Sequence, residues 1–219
     1  HEGEETVTAT LTVDVQSSPA RSFKLSLVDA EGNDLFANPA DSTVKAGEEF
    51  TVQVVAMSEP EGQGVIATGY NGELPLVLNP EGAVRSDLFD KRWHEPKPVD
   101  GSPNQYTFVN GVAKLTGIVF NGIPKDDDGN PKKINLIVTN DNATLAGSLA
   151  IMNTISEPGH LRILTEDKHS AQAMVPQEAV FEHKSENNLF AHVYDKGGNY
   201  LRRDSVKWDF AGVVLGDAE

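Results

Sequence analysis

A period of two governs this chain. Val7, Ala9, Leu11, Val13 and Val15 occupy odd positions with Thr8, Thr10, Thr12 and Asp14 between them. Such alternation puts apolar side chains on one face of an extended strand and polar ones on the other. Phe23, Leu25 and Leu27 repeat it, and so do Phe50, Val52 and Val54, with Val55 and Met57 predicting a strand covered on both faces. Further strands are predicted at 74–78, 105–109, 112–120, 133–139, 144–151, 161–164, 179–181, 189–194 and 200–210, where β-branched and aromatic residues concentrate. No stretch of helical length carries apolar residues at i, i+3, i+4 and i+7.

The punctuation agrees. Asn71-Gly72, Asn110-Gly111 and Asn121-Gly122 are dipeptides suited to the positive φ of tight hairpin turns. Asp29-Ala30-Glu31-Gly32-Asn33 and Asp195-Lys196-Gly197-Gly198-Asn199 are turn clusters between strands. Many short strands with such turns predict an all-β sandwich. Glu157-Pro158-Gly159 breaks the chain near 156–159, and Ser17-Ser18-Pro19 breaks it earlier. The passages that follow the two breaks are loosely alike, a weak internal repeat.

Composition narrows the function classes. With 18 Lys and Arg against 33 Asp and Glu, the net charge is −15. That balance argues against nucleic acid, whose binding needs cationic side chains to replace counterions. No apolar run reaches membrane-spanning length, so no membrane insertion is expected, and no signal peptide is visible. The absence of Cys excludes disulfides, Cys-ligated metals and a thiol nucleophile. No Gly-x-Ser-x-Gly elbow and no phosphate-binding glycine loop occurs. The six His show no metal-ligand spacing.

Two segments remain as candidate sites. Asp126, Asp128 and Asn130 have the 1, 3, 5 spacing of a calcium loop. Pro131 and Ile137 then stand where an EF-hand has Gly and a bidentate Glu. The expectations are a solvated acidic turn, or calcium held with help from other loops. The segment 79–103 is long for a compact domain and carries Arg92, Trp93 and His94. Trp93 either covers the end of its own sandwich or offers a ring to a sugar or a protein partner.

Lys45-Ala46-Gly47-Glu48-Glu49-Phe50-Thr51-Val52-Gln53-Val54 resembles the opening of a bacterial immunoglobulin-like repeat. The run from Tyr106 through Asn110-Gly111 to Phe120 is similar to the hairpin of the same repeats, and the 194–199 passage to their Asp-x-x-Gly-Asn turn. Such repeats build adhesins, invasin-like proteins and surface layers. The resemblance implies tandem immunoglobulin-like β-sandwiches: a terminal strand in 1–16, one sandwich over 20–154, and a second, incomplete one over 158–219. It also implies no shared catalytic residues, and an extracellular or cell-surface location.

This dissection leaves three expectations open. The chain is a fragment of a longer array, or its first strand closes onto its own second module. Alternatively Val7, Ala9, Leu11, Val13 and Val15 complete the open sheet of another copy, making an unclosed fibre. The sequence thus predicts a non-enzymatic structural protein, its partners being further copies or neighbouring modules. Calcium is the one cofactor considered. The rival reading is a binding module that takes a surface glycan or a protein on the Trp93 loop.

Overall fold

The computed structural model describes residues 18–97, 104–164 and 189–205. The strand predicted over Val7, Ala9, Leu11, Val13 and Val15 lies outside them, as does Trp208. Twelve strands are described, with two short 3₁₀ turns. Among the described residues no helix is long and apolar enough to cross a membrane.

Nine strands form a two-sheet sandwich: β1 (Ser22–Val28), β2 (Thr43–Lys45), β3 (Phe50–Met57), β4 (Gly72–Glu81), β5 (Trp93–His94), β6 (Gln105–Phe108), β7 (Val112–Phe120), β8 (Lys133–Asn140) and β9 (Ala146–Thr154). One sheet has the order β1-β3-β7-β5 and the other β2-β9-β8-β4-β6. Every pairing is antiparallel except β2 with β9. Three further strands, β10 (Pro158–Leu164), β11 (Phe190–Asp195) and β12 (Tyr200–Asp204), make a separate antiparallel sheet.

The core is what the alternation predicts. Phe23, Leu25 and Leu27 of β1 meet Val52, Val54 and Ala56 of β3, and Ile134, Leu136 and Val138 of β8 face them from the other sheet. Each of the Phe, Leu, Ile and Val side chains among them, fully buried, contributes roughly 1.5–3 kcal/mol of transfer free energy. Val55 and Met57 are buried as well, so the end of β3 is covered on both faces.

On β7 the phase of the alternation changes. Ala113 and Leu115 are buried, and then Ile118 and Phe120. Phe50 pairs with Ile118 but Val52 pairs with Leu115, so two residues of β7 oppose one of β3. Gly117, at φ +78, supplies the left-handed residue of this bulge.

Local outcomes differ from expectation in two places. Of the three Asn-Gly pairs, only Asn110 (φ 51) and Gly111 (φ 80) make a two-residue hairpin, closed by the Val109–Val112 bridge. Asn71 instead holds the turn before β4, accepting from the Asn110 N–H at 2.5 Å. Asn121 and Gly122 are buried at the end of β7. The long loop is also shorter than predicted, because β4 continues to Glu81. Pro80 can stay in the strand because β4 pairs only with β8 there, while its pairing with β6 stops at Pro75. The missing N–H therefore faces the unpaired side.

Candidate functional site

Three turns of this protein share the pattern Asp-x-x-Gly-Asn and one hydrogen-bond scheme. In the first, the Asn33 N–H donates to Asp29 Oδ1 at 2.8 Å, and the Asn33 amide donates to Asp29 Oδ2 at 3.0 Å. In the second, the Asn130 N–H donates to Asp126 Oδ1 at 2.8 Å and the Asp128 N–H at 3.1 Å. In the third, the Asn199 N–H donates to Asp195 Oδ1 at 2.8 Å, and its side-chain amide reaches both carboxylate oxygens. The glycine is left-handed each time: Gly32 at φ +99, Gly129 and Gly198 at +84. An Asp side chain that accepts its own loop's N–H groups satisfies donors the turn would otherwise leave open.

This scheme gives the spacing of Asp126, Asp128 and Asn130 a turn-based account. The Asp126 carboxylate is held below the usual carboxylate range, chiefly by the Asn130 N–H, against an opposing effect of desolvation. Asp29 is lowered in the same way by the Asn33 side chain and backbone. Among the described residues no three His, Asp or Glu side chains converge as a metal-binding group.

The third turn differs in its surroundings. Asp195 is fully buried, and the turn is packed against the end of the sandwich. The Asn199 side-chain amide donates to the Asn121 carbonyl at 2.8 Å, and the Leu88 N–H to the Gly198 carbonyl at 3.1 Å. The Tyr200 N–H donates to Asp87 Oδ2 at 2.7 Å. On the linker side, the Ser156 N–H donates to Asp195 Oδ2 at 3.3 Å, and the Lys196 N–H to Ser156 Oγ at 3.1 Å. Lys196 Nζ lies 2.7 Å from Glu48 Oε1. That contact lowers the Glu48 carboxyl and raises the Lys196 ammonium. The rings of Phe89 and His160 meet edge to face at 5.2 Å.

Close approach requires glycine here. A Cβ on Gly197 would lie 2.6 Å from the Asn121 carbonyl oxygen and 2.7 Å from Ala46 Cβ. The corresponding residues of the other two turns are Glu31 and Asp128. The joint between the sandwich and the β10–β12 sheet is thus a fitted polar contact, and Ser86, Asp87, Leu88 and Phe89 of the predicted long loop serve as its platform.

Arg92, Trp93 and His94 diverge in their roles. The exposed Arg92 uses its carbonyl to accept the Asn121 N–H at 3.1 Å. Trp93 pairs with Phe120 as the edge strand of its sheet, and its half-buried side chain packs on the core. His94 is exposed and lines an open cleft of about 730 Å³ together with Phe89, Lys91, Glu95, Lys97 and His160. Burial and the neighbouring Lys91 lower its pKa. A second cleft, of about 770 Å³, is lined by residues from the sandwich and from the second sheet, among them Asp87, Asn153, Ile155 and Tyr200.

Sequence reasoning gives no role in the joint to Gly47, Asn121 or Ser156, and misses the burial of Asp195. One signal was legible. Gly197 replaces the acidic residue that the other two turns carry at that position.

No protein-family model matches the chain, and no curated protein matches it. Among solved structures the chain is similar to dimeric latent PorU from Porphyromonas gingivalis, at 12% identity and a TM-score of 0.34. The similarity covers 80% of this chain and 17% of that one, so the chain spans less than a fifth of PorU's length. Likeness at that level says nothing about function.

Proposed function

We propose that the chain is an extracellular structural unit, built of immunoglobulin-like modules held end to end, that contributes to a fibre, surface layer or adhesin stalk. The observation that carries this reading is the buried polar joint at Asp195, Gly197 and Asn199. A binding domain on a free tether has no need of a fully buried carboxylate that holds its linker, whereas a stalk needs fixed angles between modules. The strand orders support the module type. With β1, β3, β7 and β5 in the roles of A, B, E and D, and β4, β8 and β9 in those of C, F and G, both sheets follow the immunoglobulin order. Strand pairing by the 1–16 segment, within the chain or with another copy, belongs to the same proposal.

Two measurements on the full 219-residue chain test it. Small-angle scattering of the native chain and of Gly197→Val reads the joint. The native chain is expected to keep one extended shape and the variant to broaden its distance distribution. Light scattering with and without residues 1–16 reads self-association. A native chain whose modules tumble independently, together with monomers in both length variants, would sink the structural reading.

A second reading has its own observation. His94, His160 and Phe89 share an open cleft at the module boundary, where small-molecule sites are common. In this reading the Arg92, Trp93 and His94 segment takes a soluble ligand, and His94→Ala loses saturable binding without loss of fold.

A further inference from the structure

The chain enters the sandwich at one end and meets the second sheet at the other. The Arg21 N–H donates to the carbonyl of Met57, the last residue of β3. The joint lies beyond the first residue of β3: Phe50 pairs with Ile118, and the Gly47 N–H reaches the carbonyl of Phe120. β10 starts at that far end, where a Cβ on Gly159 would lie 2.8 Å from Lys196 Cα. From Met57 to the level of Gly47 is about 30 Å at the rise of a strand. Val15 precedes Arg21 by so little chain that even full extension carries it only about 22 Å. The row Val7, Ala9, Leu11, Val13 and Val15 is therefore too short-tethered to pair as a whole with the second sheet of its own chain.

The second sheet has an edge that fits such a row. Among the described residues β10 is an edge strand. Across one step of register the burial collapses: Val193 of β11 is 8% exposed, and its partner Leu161 of β10 is 54% exposed. Ile163 is half-buried beside the buried Ala191 in the same way. An edge position does not by itself cause this, since Phe23, Leu25 and Leu27 of the edge strand β1 are all buried. The apolar row of the second sheet thus stops one strand short of cover. Charge agrees with the row that would extend it. β10 presents His160 and an exposed Arg162, whereas residues 1–16 carry Glu2, Glu4, Glu5 and Asp14 with no Lys or Arg.

The end from which residues 1–17 lead away is itself apolar. Val65, Ile66 and Val109 are exposed there. Ile66 bridges to Met57, and its Cγ2 lies 2.9 Å from where a Cβ on Gly111 would stand. Contiguous exposed apolar groups of this kind mark contact surfaces.

We propose that residues 7–15 of one copy add a strand to the β10 edge of a second copy, beside Leu161 and Ile163, and bring the Val65, Ile66 and Val109 patch into the same junction. Main-chain hydrogen bonds along an open edge supply the affinity, and the alternating side chains set the face. Each copy gives a strand at one end and takes one at the other, so the contact does not close and grows into a fibre. This rests on the structural reading above and names its partner, its acceptor edge and its direction.

The chain has no Cys, so introduced thiols report the pairing. Full-length Ala9→Cys, Leu11→Cys and Val13→Cys are each mixed with full-length Leu161→Cys under oxidising conditions and read on non-reducing gels. At least one mixture is expected to give a mixed dimer, at ten times or more the yield with Leu35→Cys, whose site is also 54% exposed. The double variant Leu11→Cys, Leu161→Cys is expected to give ladders of linked chains and no internally closed monomer. Leu161→Glu and Val109→Asp, both at exposed sites, are expected to keep the native melting temperature and weaken self-association tenfold or more. Internally closed monomers, mixed yields no higher than with Leu35→Cys, or undiminished association in both surface variants would overturn the proposal. Scattering of Gly197→Val reads the joint separately, so each of these results would leave the structural reading standing.

Discussion

Gly47 and Gly197 face each other across the joint so closely that a Cβ on Gly47 would lie 2.3 Å from the Gly197 amide nitrogen. The contact is backbone on backbone, so neither partner can yield by turning a side chain. It explains the glycine at position 47, while the Asn121 carbonyl oxygen and Ala46 Cβ, 2.6 and 2.7 Å from a Cβ on Gly197, explain why the turn at Asp195 carries glycine where the turns at Asp29 and Asp126 carry Glu31 and Asp128.

The first prediction contrasts two glycines. Gly197→Val drives a side chain into the Asn121 carbonyl and Ala46, and should cost about 1–3 kcal/mol by overpacking while opening the joint. Gly129→Ala has open space around its Cβ but a φ of +84, so it should cost about 1–2 kcal/mol with the joint intact. Urea melts read the first effect, and scattering reads the second.

Asp195 and Asp29 make the same turn in different surroundings. Asp195→Ala removes a buried acceptor from the Ser156 and Asn199 N–H groups and should cost about 2–3 kcal/mol. Asp29→Ala removes the equivalent bonds at an exposed turn, where water replaces the acceptor, and should cost about 1 kcal/mol or less. Equal losses in urea denaturation would contradict a structural joint.

Trp93 is predicted to matter for stability. Its half-buried ring packs on the core beside the pairing with Phe120, so Trp93→Ala should cost about 2 kcal/mol. Arg92→Ala keeps the carbonyl that Asn121 uses and should change stability by less than about 0.5 kcal/mol.

The pH dependence of His94 has a definite sign. Burial, aided by Lys91, lowers its folded pKa below 6.5, so the neutral ring is favoured in the folded state. The stability this carries is present above pH 6.5 and is lost as pH falls through the lowered pKa. An NMR titration should find His94 below 6.5, and Lys91→Gln should move it only part of the way back, since burial is the larger cause.

Calcium offers a last check on the acidic turn. Both oxygens of Asp126 accept bonds from their own loop, so added calcium should leave the melting temperature unchanged. A rise that disappears in Asp128→Asn would show that the loop also holds a cation.

Period-two alternation and turn chemistry determined the fold class from sequence alone. Phe23, Leu25 and Leu27 had to face one way in an extended strand, and Asn110-Gly111 suits a two-residue hairpin wherever it occurs. These are local constraints, set by backbone geometry within a few residues. The bulge at Gly117, Pro80 inside β4 and the joint were decided by tertiary structure. Asp29, Asp126 and Asp195 open the same local turn, and within five residues only Gly197, in place of Glu31 and Asp128, marks the one that is buried. That burial depends on Ala46, Asn121 and Asp87, which are brought to the third turn only when β7 and the loop after β4 end at the same edge of the sandwich.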